Sequence, residues 1–225
     1  DGVYIAHAMP HRELQAYAAQ VEEETSDVYI AFAMPQYYVN CNAAVIVLDD
    51  GVLVVDSHSK PSAAQALISQ IGELTNKPVK YLVNTHPHWD HYWGNQAYLS
   101  LWPAGVEIIS SRFTRASIEQ RGILQIKDYL LQASTEIARL KSKLEATADS
   151  AARQALTETL RQGEEYLTEL EQIQIVLPTV TFDRSLVVHR PPRTVELLWL
   201  GRGHTEGDVI VYLPQERVIV TGDLI

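Results

Sequence analysis

At 225 residues with 46% hydrophobic side chains, the chain is long enough for one domain with a substantial core. A net charge of -10 argues against a nucleic-acid surface, which is ordinarily basic, and no apolar run reaches the length of a membrane span. Cys41 is the only cysteine, which excludes an intrachain disulfide and a cysteine-based metal cluster. The sequence starts at Asp1 without Met. Removal of a secretory signal, placing the protein in the periplasm or outside the cell, would account for this; a trimmed sequence would account for it equally.

In chain order, the first feature is a near-repeat. Val3–Pro10 (VYIAHAMP) returns as Val28–Pro35 (VYIAFAMP), changed at one position. Both copies read as strands, and His11–Glu24 between them has helical character. His7 and His11 read as surface residues. Val45–Leu48 and Val52–Val55 flank Asp49-Asp50-Gly51, and Asp-Gly between apolar runs signals a β-hairpin. Asp56-Ser57-His58 comes next. Pro61–Leu74 reads as a helix, with Pro in its first turn and Ala64, Leu67, Ile68 and Ile71 on its buried face.

Val79–Val83 reads as a buried strand and leads into Asn84-Thr85-His86-Pro87-His88-Trp89-Asp90-His91. In an extended segment alternate residues point the same way, so His86 and His88 can face one ion together. Pro87 fixes its own φ and biases His86 away from the helical region. Asp90 and His91 come after the strand, where the chain can turn and aim them at a second position. Imidazoles and a carboxylate without thiolate suit Zn2+, with Fe or Mn as alternatives. Tyr92-Trp93-Gly94-Asn95 opens a short helical stretch, and Val106–Ile109 is a further strand.

The segment from about Phe113 to Ile173 changes period. Ile126, Leu130, Ala133, Ile137, Leu140 and Leu144 are spaced alternately by four and three, as are Leu156, Leu160, Gly163, Leu167 and Leu170. This is a heptad seam in two pieces, broken near Ala146-Thr147, with Asp149-Ser150 able to cap the second helix. It predicts an antiparallel helical hairpin. Such a hairpin can serve as a homodimer interface, cover a substrate cleft, or pack only on itself.

Val180–Asp183 and Ser185–His189 read as paired strands, with His189 structural or exposed. Val195–Leu200 is an apolar strand followed by Gly201-Arg202-Gly203-His204-Thr205, and Arg217–Val220 is another followed by Thr221-Gly222-Asp223. Each time a ligand-type residue follows a strand beside Gly, which permits unusual backbone angles and close approach. If the strand ends share one edge of a layered fold, their ligands converge. Asp208, at the start of the strand Asp208–Leu213, can cap or orient the His204 loop and is not assigned to metal.

His86-x-His88-x-Asp90-His91 at a strand end, with His204 and Asp223 behind later strands, resembles the metallo-β-lactamase superfamily. The resemblance implies that His86, His88 and His204 hold a first metal, that Asp90 and His91 help hold a second, and that Asp223 bridges them. It implies an α/β fold, a four-layer αββα sandwich spanning 1–225 as a single domain. About 1–27 would be an N-terminal extension and about 113–173 an inserted helical hairpin. In this family the loop corresponding to Asp56-Ser57-His58 lies under the metal site, and His58 there reads as a structural hydrogen-bonding residue. Two departures stand out. Asp223 occupies a position that is Cys in the best-known β-lactam-hydrolysing members, which points to the wider hydrolase superfamily. Family members also continue beyond the point corresponding to Ile225 and supply one more His to the second metal, so the sandwich is expected to be incomplete at its C-terminus and the second site short of a ligand.

The expected function is zinc-dependent hydrolysis with one or two Zn2+ per chain. A zinc held by three histidines lowers the pKa of bound water to about 7. The metal-bound hydroxide then attacks an ester, lactone, thioester or β-lactam. Asp90 is the expected catalytic residue, orienting the hydroxide or moving a proton. Trp89, Tyr92 and Trp93 form an apolar wall or pack into the core. His88 disfavours the flavodiiron branch, where Glu commonly stands. The alternative is a β-lactamase-like fragment or a non-catalytic zinc-binding interaction module. The expected partner is a small-molecule substrate.

Overall fold

The computed structural model describes residues 4–6, 21–25, 27–33, 40–102 and 105–225. The chain divides into two compact units, one of residues 1–120 and 175–225, the other of 121–174.

The first unit is built on two sheets. In the larger, β2 (Val21–Thr25), β3 (Val28–Ala31), β4 (Ala43–Val47) and β5 (Val52–Val55) run antiparallel in sequence order. β6 (Val79–Val83), β7 (Glu107–Ser111) and β8 (Val180–Phe182) then add in parallel. Parallel strands need crossovers. Helix α1 (Pro61–Leu74) supplies the first, and α2 (Trp89–Tyr92) with α3 (Asn95–Leu101) the second. The smaller sheet has the order β1 (Tyr4–Ala6), β12 (Val218–Val220), β11 (Ile210–Leu213), β10 (Arg193–Leu198), β9 (Ser185–Arg190).

Strands β4 and β5 are buried along their whole length, which explains their unbroken apolar runs. Ala44, Ile46, Leu53 and Val55 face the smaller sheet and meet Val195, Leu197, Val211, Leu213, Val218 and Val220. Val45, Val47, Val52 and Val54 face the other way, onto Ala64, Leu67 and Ile71 of α1 and Ala97 and Tyr98 of α3. Helix, large sheet and small sheet are thus successive layers of the expected αββα arrangement. Helix α1 has no side-chain N-cap bond, although Pro61 opens it. Burial compensates: Leu67 and Ile71 each contribute about 1.5–3 kcal/mol, against about 1 kcal/mol for a typical cap.

Three local expectations are corrected. Of the helix expected over His11–Glu24, residues 11–20 lie outside the described residues, and Val21–Thr25 form β2. There the antiparallel ladder with β3 overrides the helical propensity of the Glu run. Strands β8 and β9 do not pair: β8 joins β7 in the large sheet and β9 joins β10 in the small one, so the chain changes sheets at Asp183-Arg184. The short helical stretch also begins earlier than expected, placing Asp90 and His91 on α2. Within the near-repeat, Tyr4–Ala6 and Val28–Ala31 are strands, one in each sheet; residues 3, 7–10 and 34–35 lie outside the described residues.

Helices α4 (Arg112–Ala146) and α5 (Ser150–Leu170) follow β7. In the second unit the seam positions Ile137, Leu140 and Leu170 are buried, and the remaining seam positions are half-buried. Asp149 caps α5 by accepting from the Ala152 amide at 2.8 Å. Near the turn Arg153 Nη1 donates to Leu144 O at 2.7 Å, while farther from it Lys141 pairs with Glu164 at 2.8 Å and Gly163 approaches Ile137, so the two helices run antiparallel.

Candidate metal centre

Three strand ends deliver the ligand-type residues. Beyond β6 the Asn84 amide still donates to Ile109 O (2.9 Å), continuing the strand for one residue. The Thr85 amide then turns to Asp56 Oδ1 at 2.8 Å, and His86 comes next, 1% exposed. His88 is the extended residue before α2, whose first turn carries Asp90 and His91. His204 lies on the loop between β10 and β11, with 34% of its side chain exposed. Asp223 lies on a 3-10 turn, Gly222–Leu224, after β12. Gly222 has φ +57, and a Cβ there would lie 2.8 Å from Thr85 Oγ1. Only glycine meets both constraints, and so Asp223 is brought beside the histidine motif.

His86, His88, His204 and Asp223 converge, each offering a ligand atom within 4.8 Å of the others. His88 Nδ1 is 3.1 Å from His86 Nε2 and 3.0 Å from His204 Nε2. Asp223 Oδ2 lies 3.6 Å from His86 Nε2 and 3.7 Å from His204 Nε2. Its Oδ1 is 3.3 Å from His91 Nε2, which is also 3.5 Å from Asp90 Oδ2. The two oxygens of Asp223 are therefore divided between two groups of ligands.

The tautomers follow from one buried carboxylate. Asp56 accepts from the Thr85 hydroxyl (2.8 Å) and from His91 Nδ1 (2.8 Å). With its proton committed to Asp56, Thr85 Oγ1 can only accept from His86 Nδ1–H, at 3.0 Å. Asp56 thus leaves a lone pair on Nε2 of His86, and on Nε2 of His91 when that ring is neutral. This is the orienting carboxylate ordinarily found behind metal-binding imidazoles. It sits in a left-handed conformation at φ 63, with His58 at φ 69 two residues on. Conformations of this kind persist where surrounding bonds impose them.

The donor set fits a metal ion. A single proton on His88 Nδ1 cannot make good bonds to both neighbouring imidazole nitrogens, whereas a shared cation satisfies all three. Metal–nitrogen distances of about 2.0–2.1 Å at tetrahedral angles place ligand nitrogens about 3.3 Å apart. The observed 3.0 and 3.1 Å are close to that. Buried His91 Nε2 has no hydrogen-bond partner among the described residues and faces two carboxylates.

Electrostatics agree. Burial pushes His86 down to about 2, and burial with the neighbouring His204 lowers His88, so both stay neutral and able to coordinate. Burial opposes a charge on His91, but the carboxylates of Asp56 and Asp223 pull the other way and leave its pKa well above the ordinary value, so a metal ion at Nε2 would displace a proton there. Burial would raise Asp223, yet His91 close to its Oδ1, with His86 and His204 near its Oδ2, brings it to about 2. Asp90 is raised, chiefly by burial.

A buried amide pair frames the motif. Asn84 Nδ2 donates to Asn95 Oδ1 (3.0 Å), and Asn95 Nδ2 returns the bond to Asn84 Oδ1 (2.9 Å). Asn84 Nδ2 also reaches His91 O at 3.2 Å, which accepts from the Ser57 amide at 3.0 Å. Sequence reasoning missed Asp56, Asn84 and Asn95. Asp56 carried the same signal as the ligands it orients, a carboxylate just past an apolar strand. Cys41 carried none, yet its thiol lies beside Asp56 and His91, within the same 4.8 Å limit. Burial pushes that thiol up to about 11, which keeps it a neutral neighbour. His58 is buried, with Nδ1 at 2.9 Å from Cys41 O. Tyr92 and Trp93 pack into the core, while half-buried Trp89 lies against Trp93 at 4.9 Å.

Comparison with known proteins gives the same answer. Residues 37–225 match the Metallo-beta-lactamase superfamily. The structure resembles a metallo-beta-lactamase from Pontibacter korlensis with a TM-score of 0.59 at 18% identity, covering 89% of this chain and 69% of that one. It resembles TMB-1 with a TM-score of 0.56 at 13% identity, covering 91% and 69%. At such identities the likeness shows the fold alone, and it agrees with the layered α/β architecture. With its sequence match covering most of its length and four ligand-type side chains gathered at its strand ends, the chain belongs to the metallo-beta-lactamase superfamily, a family of metal-dependent hydrolases.

Proposed function

We propose that the chain is a zinc-dependent hydrolase acting on a small ester, lactone, thioester or β-lactam. The observation that supports this most is the convergence of three imidazoles, with His88 Nδ1 3.1 Å from His86 Nε2 and 3.0 Å from His204 Nε2, and Asp223 beside them. These three histidines would hold the first ion. An ion bound there supplies Lewis acidity toward a carbonyl oxygen and brings the pKa of water to about 7. Asp223, whose oxygens face His86 and His204 on one side and His91 on the other, would bridge to a second ion. His91 and Asp90 would hold that ion. Asp90 is also the proton acceptor of the site: burial raises its carboxyl, which brings its basicity closer to neutral pH. Trp89, next to His88 in the sequence and half-buried, would contact an apolar part of the substrate.

The test is Asp90→Asn, assayed against a panel of β-lactams, lactones and thioesters with zinc supplied. The variant should keep the parent's melting temperature and far-ultraviolet spectrum while turnover of the accepted substrate falls by about 10²–10⁴. Undiminished turnover would remove Asp90 from its role. A parent protein that hydrolyses none of the panel would remove the hydrolytic reading.

A further inference from the structure

We infer that Asp208 is a positioning residue for the centre, holding His204 where its ring nitrogen meets those of His86 and His88. This rests on the metal-binding reading of that cluster. The three histidines are held differently. His86 is buried and braced through Nδ1 by Thr85. His88 is fixed between Pro87 and the start of α2. His204 is the most exposed of the three, and its ring has no hydrogen-bond partner among the described residues other than His88. Its position must therefore come through its own backbone.

The loop from Trp199 to Val209 is anchored at its base by the Trp199 amide on Arg184 O (2.9 Å), and further bonds hold its later limb. Trp199 Nε1 donates to Glu206 O at 2.9 Å. The Ser111 and Thr114 hydroxyls donate to Gly207 O at 2.7 and 2.9 Å. A Cβ on Gly207 would lie 2.2 Å from Thr114 Oγ1, so this approach requires glycine. The Val209 amide donates to Thr85 O at 2.8 Å, tying the loop to the residue before His86. None of these reaches the neighbours of His204.

Asp208 reaches both. Its Oδ2 accepts from the amides of Gly203 (3.2 Å, a donor shared with Thr205 O at 3.0 Å) and Thr205 (2.8 Å), and its Oδ1 accepts from the Thr205 hydroxyl at 2.8 Å. Thr205 Oγ1 in turn accepts from the Gly207 amide at 3.1 Å. The carboxylate therefore brackets His204 in the sequence and fixes the peptide groups on either side of it. Asp208 is 4% exposed and makes no ion pair among the described residues. Burying a carboxylate without a counter-charge is unfavourable unless its oxygens are hydrogen-bonded. Here those bonds come from the two residues flanking His204.

The experiment is a cobalt titration of the whole chain, stripped of metal with a chelator. Binding is read by competition with a chromophoric chelator and by the ligand-field absorption of bound Co2+. Asp208→Ala should weaken the tightest Co2+ by about 10–100-fold and alter the ligand-field bands. Asp208→Asn should restore both, because its oxygen can take the two amides while its NH2 donates to Thr205 Oγ1. If Asp208→Ala does not fold, Thr205→Val carries the test, with Co2+ binding expected to weaken at least about fivefold on loss of the hydroxyl's bonds to Asp208 and to the Gly207 amide. Parental affinity in Asp208→Ala, or in Thr205→Val, would overturn the inference alone, as would an Asp208→Asn protein as weak as Asp208→Ala. A parent that binds no Co2+, or a His204→Ala variant that binds as tightly as the parent, would overturn the metal-binding reading and the inference with it.

Discussion

Asp56→Asn tests how the centre is prepared. Asp56 is 1% exposed and accepts three hydrogen bonds, from the Thr85 amide, the Thr85 hydroxyl and His91 Nδ1, each at 2.8 Å. Asn preserves the shape and tolerates the left-handed φ of 63. It cannot preserve the acceptors. Bonds to a charged acceptor contribute about 1.5–3 kcal/mol and neutral ones about 0.5–1.5, so three bonds together forfeit roughly 3 kcal/mol. With the amide oxygen kept on the Thr85 amide, the new NH2 faces His91 Nδ1–H. His91 can relieve this by moving its proton to Nε2, which removes the lone pair directed at Asp90 and Asp223. The metal-free variant should therefore unfold in urea with roughly 3 kcal/mol less stability. Calorimetric zinc titration should show any second equivalent weakened by about 10–100-fold. A stability loss under about 1 kcal/mol, together with unchanged zinc binding, would refute the reasoning.

Two more outcomes are expected from other parts of the molecule. Burial pushes His58 down to about 4. The unfolded chain takes up this proton near pH 6.5, so stability is present above that value and lost as pH falls toward 4, by about 2 kcal/mol at pH 5. His58→Asn, compatible with φ 69, should flatten the urea stability difference between pH 7 and 5 by that amount, and an unchanged slope would refute it. In the helical unit, a Cβ on Gly163 would meet only Ile137 Cγ1, at an ordinary 3.6 Å. Gly163→Ala should stabilise α5 by about 0.5–1 kcal/mol, seen as a rise in helix melting temperature, and a fall would show that the seam has no room for a methyl group.

Legibility in the sequence depended on whether the determining contacts are local. His86, His88, Asp90 and His91 lie within six positions at a strand end, so strand periodicity alone sets the first two apart from Asp90 and His91. The helices α4 and α5 were readable because the seam residues repeat every seven positions, and Asp149 stands where a cap is needed. His204 and Asp223 could be paired with the motif only through the family resemblance, since nothing local ties residues so far apart in sequence. Partners across the fold were invisible for the same reason. The Asn84–Asn95 amide pair, the bond from Thr85 to Asp56, and the seating of Gly222 against Thr85 exist only once β5, β6 and β12 are assembled. Strand pairing failed at Asp183-Arg184, where a two-residue link resembles a hairpin but joins two sheets. It failed again at Val21–Thr25, where an available strand edge outweighs helix propensity.

The most direct test of the central claim is the zinc content per chain after dialysis against zinc and removal of excess, measured by elemental analysis alongside His86→Ala and His88→Ala. At least one ion per chain in the parent, falling to none in either variant while both remain folded, is the predicted result. A folded parent that retains no zinc, or variants that retain as much as the parent, would contradict the assignment of this cluster as the metal centre.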